Sequence, residues 1–435
     1  MDKSKKILKR LELLHPKKID LSLNRLKRLL KKLGNPHFNL PPIIHVAGTN
    51  GKGSVTAFLR SILENGNLKT HVYTSPHLRR FNERIRLNSK IISNSLLNLL
   101  LEECEQYNDG KQITFFEITT AAAFLAFSRI KSDIILLETG LGGRFDATNV
   151  IVKNACSVLT PISSDHTNLL GNSIKKIAIE KLGIIKNNSV AVISKQIKSV
   201  NKLILSEAKK KNVKLFQEGK HWSIVEKNYK ERFFILKYLE SIHQFPFPSL
   251  YGDHQIENAS TAIATIFSLK NILVKKKSIV AGVLNTKWPA RMQNLNNGKL
   301  VKMMGDNFEI WLDGGHNVHA SEAIFKTIEK WNEKNIILII GMVQGKDPIK
   351  FLLKLIQKIK ILIILPINDH EHIQPYEIKN KLITKLNKKI QMECCVNIDE
   401  ALEFLKKKID YGKIIICGSL YLAGEILERD GYKIN

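Results

Sequence analysis

Cysteine, arginine and acidic side chains are scarce in this chain, and no apolar run is long. Five cysteines (Cys104, Cys156, Cys394, Cys395, Cys417) are few and odd in number. None makes a C-x-x-C pair, and Cys394–Cys395 lacks the histidine neighbours of a metal site. A disulfide scaffold is excluded, and all five read as reduced core thiols of a cytoplasmic protein. Apolar runs such as IILII at 336–340 and ILIIL at 361–365 are strand-sized. They fall far short of the ~18–20 residues that cross a bilayer, so no membrane partner is expected. The charged stretch MDKSKKILKR leads into no long apolar segment, so no secretory signal is expected either. Acidic residues number 40 against 68 lysines and arginines, a formal charge of +28, and only 13 of the 68 are arginine. Chains that grip phosphates by geometry favour arginine, whose planar fork binds in a bidentate way. Here the excess is lysine, spread from Lys3 to Lys433 without a block, which reads as compositional drift. A positive field of this kind favours anionic small substrates. With 44% apolar and 25% charged residues, the 435-residue chain has the composition of a soluble protein of two or three domains.

Periodicity orders the chain. Leu8, Leu11 and Leu14, then Leu23, Leu26, Leu29, Leu30 and Leu33, recur at helical steps in the first ~40 residues, in two segments that Pro16 separates and Gly34-Asn35-Pro36 ends. Ile43–Val46 reads as a buried strand, GTNGKGS (48–54) as a glycine turn, Ser54–Leu63 as a helix and Thr70–Tyr73 as the next strand. That succession opens a parallel α/β sheet. Further strands are expected at 133–137, 155–159 and 190–193, with helices at 95–107, 117–130 and 173–182. WSIVEK and RFFILKYL read as antiparallel strands of a small β insertion, and a helix follows from Gln255 to Leu269. After Trp288-Pro289 strands and helices alternate again. Helices are expected at 319–331, 348–358, 375–387, 398–408 and from 420, and a strand at 390–396. The expected fold is α/β: a P-loop-type parallel sheet domain with a small β insertion (1–290), then a Rossmann-like α/β domain (291–435).

AGTNGKGS at 47–54 carries the strongest chemical signal. A strand ends, glycines free backbone N–H groups, a lysine sits in the turn and a helix begins, which is what phosphate oxygens require. The generic pattern G-x-x-x-x-G-K-[ST] fails twice, at Val46 and at Gly53, so this is no ordinary Walker loop. In this form G-T-N-G-K-G-S resembles the ATP loop of the Mur ligase superfamily, in the branch of dihydrofolate synthases and folylpolyglutamate synthases. Other blocks resemble that branch in the same order: YTSPHLRRFNERI (73–85), TFFE (114–117), LETGLGGRFDATN (137–149), SSDHTNLLGNSIKKIAIEKLGIIK (163–186), HQIENA (254–259), LDGGHN (312–317) and CGSLYLAGE (417–425). Ala290 stands where the branch has Gly, Gly315 and Val318 where it has Ala and Pro. QGKD at 344–347 also departs from its usual spelling.

The residues support part of this directly. Glu138 ends the apolar run DIILL beside a phosphate loop, where a Mg²⁺ ligand belongs. Phe115, Phe116 and Phe145 offer flat apolar faces to an aromatic ring, and Asp20 or Asp146 could accept its N–H groups. The resemblance implies the rest. Thr49, Asn50, Gly51, Lys52, Gly53 and Ser54, with Asn258, Arg291 and Asp313, would hold ATP. Ser75, Glu138 and His166 would ligate Mg²⁺. Lys181 would carry a carbamate supporting a second Mg²⁺, because an ammonium beside the metal is repulsive whereas a CO₂ adduct is an anion. The pteridine-bearing substrate would meet Lys18, Ile19, Asp20 and Leu21, Thr114, Phe115, Phe116 and Glu117, and Phe145, Asp146 and Ala147. Ser419 would meet glutamate. Lys52, Lys181 and His316 are the catalytic candidates, with His316 near the transferred phosphate.

The reaction so implied is ATP-dependent amide formation through an acyl phosphate, with water excluded. L-Glutamate would be joined to dihydropteroate and, in a bifunctional enzyme, to the γ-carboxylate of reduced folates. The enzyme is expected to be a monomer. The alternatives within the superfamily are a folylpolyglutamate synthase alone or a cell-wall Mur ligase. An alternative of another class, a nucleic-acid-binding NTPase, rests only on the +28 charge. It wants a basic patch interleaved with exposed aromatics, which is not found, so nucleic acid is not an expected partner.

Overall fold

A computed structural model describes residues 3–17, 19–368, 370–385 and 390–433. The chain forms two compact units, Met1–Ser249 with Gln255–Lys287, and Leu250–His254 with Trp288–Asn435.

The first unit begins with helices α1 (Lys3–Glu12) and α2 (Asn24–Lys32). The leucine periodicity is explained by Leu11, Leu26, Leu29 and Leu30, all fully buried in one core. Pro16 lies in an irregular segment between α1 and α2, as a residue without an N–H and with a fixed φ favours. The chain continues as β1 (Ile43–Ala47), α3 (Lys52–Asn65), β2 (Thr70–Tyr73), β3 (Ile85–Leu87), β4 (Lys90–Ile91), α4 (Asn94–Asn108), α5 (Phe115–Arg129) and β5 (Ile134–Glu138). Then come β6 (Cys156–Leu159), α6 (Thr167–Leu170), α7 (Ile174–Leu182), β7 (Val190–Ile193), α8 (Lys198–Lys210) and β8 (Lys214–Gln217). These strands make one sheet in the order β4-β3-β2-β5-β1-β6-β7-β8. IIHVA and IILLE are buried throughout, because a central parallel strand is covered on both faces. Only β3 and β4, at one edge, pair antiparallel. The carboxyl ends of β1, β2, β5 and β6 share one sheet edge, with Val46 paired to Glu138 and Ala47 to Leu159.

The β insertion has three strands, β9 (Trp222–Asn228), β10 (Phe233–Tyr238) and β11 (Ser241–Pro246), antiparallel in the order β11-β10-β9. The third strand has no apolar alternation to betray it: of SIHQFP only Phe245 is buried. Helices α9 (Asp253–Ser268) and α10 (Lys276–Asn285) follow.

The second unit contains β12 (Gln293–Leu295), α11 (Lys299–Met304), β13 (Phe308–Leu312), α12 (Val318–Glu329), β14 (Ile336–Ile340), α13 (Pro348–Leu355), β15 (Ile361–Ile364), α14 (Pro375–Lys385), β16 (Gln391–Cys394), α15 (Ile398–Lys406), β17 (Gly412–Cys417) and α16 (Leu420–Asp430). Its sheet runs β12-β13-β17-β14-β15-β16. The five strands after β12 are parallel, as the alternation predicts, and β12 adds an antiparallel edge. Helices expected to reach 331, 358 and 408 stop two or three residues earlier. The expected end of α14, at 386–387, lies outside the described residues. All five cysteines are free and four are buried. Cys394, on the edge strand β16, is half-buried and so is not the core thiol expected. No helix among the described residues is long and apolar enough to cross a membrane.

His45, in the middle of β1, is fully buried and its Nε2 lies 2.8 Å from the Thr148 hydroxyl. Burial, with Lys186 nearby, pushes this imidazole down to about 3 from 6.5. The unfolded chain therefore binds a proton below pH 6.5 that the native state refuses, so stability falls as pH falls from 6.5 toward 3. His45 should contribute a slope of up to about 1.4 kcal/mol per pH unit in that window. Urea unfolding of the wild type and His45→Gln at pH 7.0 and 5.0 checks this. The wild type should lose more stability on acidification than the variant.

Candidate active site

The glycine loop leaves β1 at the sheet edge and is held by the segment after β6. The backbone N–H groups of Thr49 and Asn50 both donate to the Pro161 carbonyl, at 3.0 and 3.4 Å. The Thr49 hydroxyl donates to Ser163 O (2.9 Å) and accepts from Ser163 N (3.0 Å). Gly51 caps α3 with φ +85°, a left-handed conformation, and a Cβ there would lie 2.5 Å from Asn258 Oδ1. Asn258 of α9 is thereby set against the loop. Ser54 and Gly53 are buried in the first turn of α3, whose positive end faces the loop. Lys52 Nζ donates to Thr49 O at 3.2 Å, and Lys181 Nζ to Gly48 O at 2.7 Å. Two amine-bearing side chains thus return to one phosphate-type loop. Burial first, then the Lys52 ammonium, pushes the Lys181 amine down to about 7.

Ser75 follows β2 and Glu138 ends β5, on adjacent strands. Ser75 N lies 3.4 Å from Glu138 Oε2, and the Ser75 hydroxyl is buried without a partner. His166 is half-exposed at a φ of 50°, with Nε2 4.0 Å from Asp165 Oδ2. Among the described residues, no three His, Cys, Asp or Glu side chains gather as a metal-holding group. Of the expected metal ligands, Ser75 and Glu138 are the two with a hydrogen bond between them. That orphaned hydroxyl and the adjoining carboxylate are hard oxygen donors of the kind Mg²⁺ takes.

Lys181 is tied to the 137–149 loop by contacts without clearance. Arg144 N donates to Glu180 O at 2.6 Å. A Cβ on Gly143 would lie 2.7 Å from Glu180 O, and one on Gly183 would overlap Arg144. Asn149 Nδ2 bridges Arg144 O and Gly183 O, both at 3.1 Å. Within this loop Phe145 is 40% exposed, with the Arg144 guanidinium over its ring at 5.0 Å, and Ala147 is buried. Asp146 is buried, and its oxygens accept from Leu141 N, Thr148 N and the Thr148 hydroxyl. Its carboxylate therefore braces the loop, rather than standing open to N–H groups of a ligand as anticipated.

The other aromatic block starts α5. Thr114 and Glu117 form a capping box: the Thr114 hydroxyl accepts from Glu117 N, and Glu117 Oε2 accepts from Thr114 N and Oγ1. Phe115 meets Phe81 edge-on at 5.7 Å, and Phe116 stacks on Tyr73 at 5.9 Å. The structure adds a residue missed in the sequence, Arg25 of α2, which binds Glu117 and Asp20 together. One arginine among 13, on a basic helix, gives no signal of its own. Ile19 is exposed, and Asp20 and Leu21 are half-buried. Lys18 lies outside the described residues.

In the second unit Asp313 and Ser419 follow neighbouring strands, β13 and β17. Asp313 is buried and accepts from Met292 N (2.8 Å) and Gly315 N (2.7 Å). Arg291 Nη1 donates to Ala290 O at 2.8 Å. Ala290 and Met292 flank it at φ 56° and 41°, which explains why a glycine suits the first position. His316 Nδ1 lies 3.1 Å from Gly314 O. The Ser419 hydroxyl caps α16, accepting from Tyr421 N at 3.1 Å.

Two family models match this chain: the Mur ligase middle domain over residues 46–266, and the dihydrofolate synthetase C-terminal domain over 296–429. The chain is 32% identical over 430 residues to the dihydrofolate synthase/folylpolyglutamate synthase of Bacillus subtilis, covering 94% of each. It is similar to the solved structure of E. coli FolC in complex with DHPP and ADP, with 26% identity, TM-score 0.86, and 98% and 97% coverage. It is also similar to Mycobacterium tuberculosis folylpolyglutamate synthase complexed with ADP, with 25% identity, TM-score 0.90, and 100% and 99% coverage.

Gly51→Ala should lose about 1–2 kcal/mol of stability from its left-handed backbone alone. Its new methyl should also push Asn258 and weaken ADP binding at least roughly tenfold. Gly219, at φ +79° with open space around it, is the control. Gly219→Ala should show the stability loss without the binding loss when ADP is titrated calorimetrically.

Proposed function

The chain belongs to the dihydrofolate synthase/folylpolyglutamate synthase family of Mur-type, ATP-dependent ligases, and we propose that it joins L-glutamate both to dihydropteroate and to the γ-carboxylate of reduced folates. The observation that carries the reading is the return of Lys52 and Lys181 to the carbonyls of one glycine loop, beside Ser75 and Glu138.

Amide formation from a carboxylate and an amine is unfavourable in water, so the carboxylate must first be activated. The γ-phosphoryl group of ATP would pass to the acceptor carboxylate, releasing ADP and leaving an acyl phosphate. The amino group of glutamate would then attack the acyl carbon, expelling phosphate and losing a proton. Transfer of this kind depends on positioning and charge stabilisation. The N–H groups of residues 51–54, at the start of α3, would cradle the phosphates, and Lys52 would follow the charge on the moving group. Asn258, Arg291 and Asp313 are assigned to the nucleotide, and Ser419 to glutamate. His316 would orient the phosphoryl group or take the amine's proton. Ser75, Glu138 and His166 would hold Mg²⁺, which when bound neutralises phosphate charge. Phe145, with Phe115 and Phe116, would receive the flat ring of the acceptor.

Lys181 is read as a carbamate. The adduct forms when a neutral amine attacks CO₂, giving an N–C bond and releasing one proton. Burial and Lys52 leave much of this amine neutral near pH 7 and more of it above. Protein equilibrated with ¹³C-bicarbonate at pH 8 should give a carbamate carbon resonance that is absent from Lys181→Arg.

The activity is tested by ADP release with Mg·ATP and L-glutamate, comparing dihydropteroate, a reduced folate monoglutamate and no acceptor. Turnover is expected with both acceptors, and Lys52→Ala should abolish both. Turnover with one acceptor alone would reduce the reading to a monofunctional enzyme. Folded, nucleotide-binding protein that releases no acceptor-dependent ADP would overturn the folate assignment.

A further inference from the structure

Arg25 touches two segments, around Asp20 and around Glu117, that the family resemblance assigns to the pteridine-bearing acceptor of the proposed function. Its Nε donates to Glu117 Oε2 at 2.9 Å, its Nη1 to Asp20 Oδ2 at 2.9 Å and its Nη2 to Asp20 O at 2.7 Å. One planar guanidinium thus fixes the irregular loop before α2 to the first turn of α5. The arginine side chain is only 18% exposed and the Glu117 side chain 4%, so this pair is largely withdrawn from water.

The two oxygens of Glu117 are treated unequally. Oε2 accepts from Thr114 N, Thr114 Oγ1 and Arg25 Nε. Oε1 is buried and has no partner. A buried carboxylate oxygen without a donor is costly, and the capping box does not require it, since Oε2 alone closes the box. The adjoining residues Phe115 and Phe116 present aromatic rings. An acceptor with ring N–H groups supplies both the donor that Oε1 lacks and the face those rings fit.

We infer that Arg25 is a positioning residue for the acceptor, acting through Glu117 and the Asp20 loop to present Glu117 Oε1 to a ring N–H donor. The inference rests on the acceptor assignment made above. It implies that Arg25 governs acceptor binding and leaves the nucleotide half of the site alone. Arg25 makes no contact with the glycine loop among its described hydrogen bonds and ion pairs.

The test is steady-state ADP release with KM measured separately for dihydropteroate, ATP and L-glutamate. Arg25→Met should raise the KM for dihydropteroate roughly tenfold or more, the loss of hydrogen bonds to charged partners. KM for ATP and glutamate, and kcat, should stay within about twofold. In a Glu117→Gln background the same substitution should raise the dihydropteroate KM much less, because the residue it acts through is already changed. In Arg25→Ala, guanidinium chloride at non-denaturing concentration should lower that KM, and equal urea should not. Arg25→Lys, which keeps the charge but cannot reach both partners, should fall between wild type and Arg25→Met, and it carries the test if Arg25→Met does not fold. Equal rises in all three KM values with no guanidinium rescue, or no change in the dihydropteroate KM, would overturn the inference. Failure of the acceptor assignment is read separately, as wild-type protein that turns over no pteridine acceptor.

Discussion

The structure of the first unit depends on how tightly the backbone between β1 and α3 is held. The Pro161 carbonyl takes two of its N–H groups, Asn258 abuts Gly51, and the lysines at 52 and 181 return to its carbonyls. A phosphate nest is effective only when its donors are already in place, because ordering them on binding would cost affinity. The strand order supplies that order in advance. With β1 between β5 and β6, the loop is flanked by Glu138 on one side and by the Thr160–Ser163 segment on the other.

A second theme is the use of buried polar groups to shape loops. Asp146 braces the turn that displays Phe145, and Glu117 closes the start of α5 and accepts from Arg25. Asp313 ties Met292 and Gly315 into one turn in the second unit. Each carboxylate is buried and receives several N–H or O–H donors, the condition under which a charge is tolerated away from water. These side chains fix the geometry of the exposed groups beside them.

Much of this was legible in the sequence. Runs such as IIHVA and IILII have no alternation, so they announce central parallel strands, and GTNGKGS between a strand and a helix announces a phosphate loop. What was not legible is informative. β11 is half polar because it is the edge of a three-stranded sheet, and β12 is too short to carry a period. α8 and β8 follow a polar junction, and their pattern is that of a surface helix and an edge strand. Arg25 could not be found, because its importance lies in partners 5 and 92 residues away. Asp146 was legible as a special residue but not as a brace, since hydrogen bonding within a turn leaves no spacing to read.

The contact of Gly143 and Gly183 with the opposing backbone has a consequence for divergence among enzymes of this shape. With no side-chain volume between the ring-presenting loop and the turn that carries Lys181, the two can change only as one body. Insertions or bulkier residues on that side would displace the amine from the glycine loop. On the proposed reading, room to vary the acceptor lies in another wall, around Asp20 and Leu21, an irregular, half-buried stretch that the Arg25 guanidinium ties to α5. New acceptor preferences should arise by redrawing that wall while the glycine-lined seam is inherited unchanged.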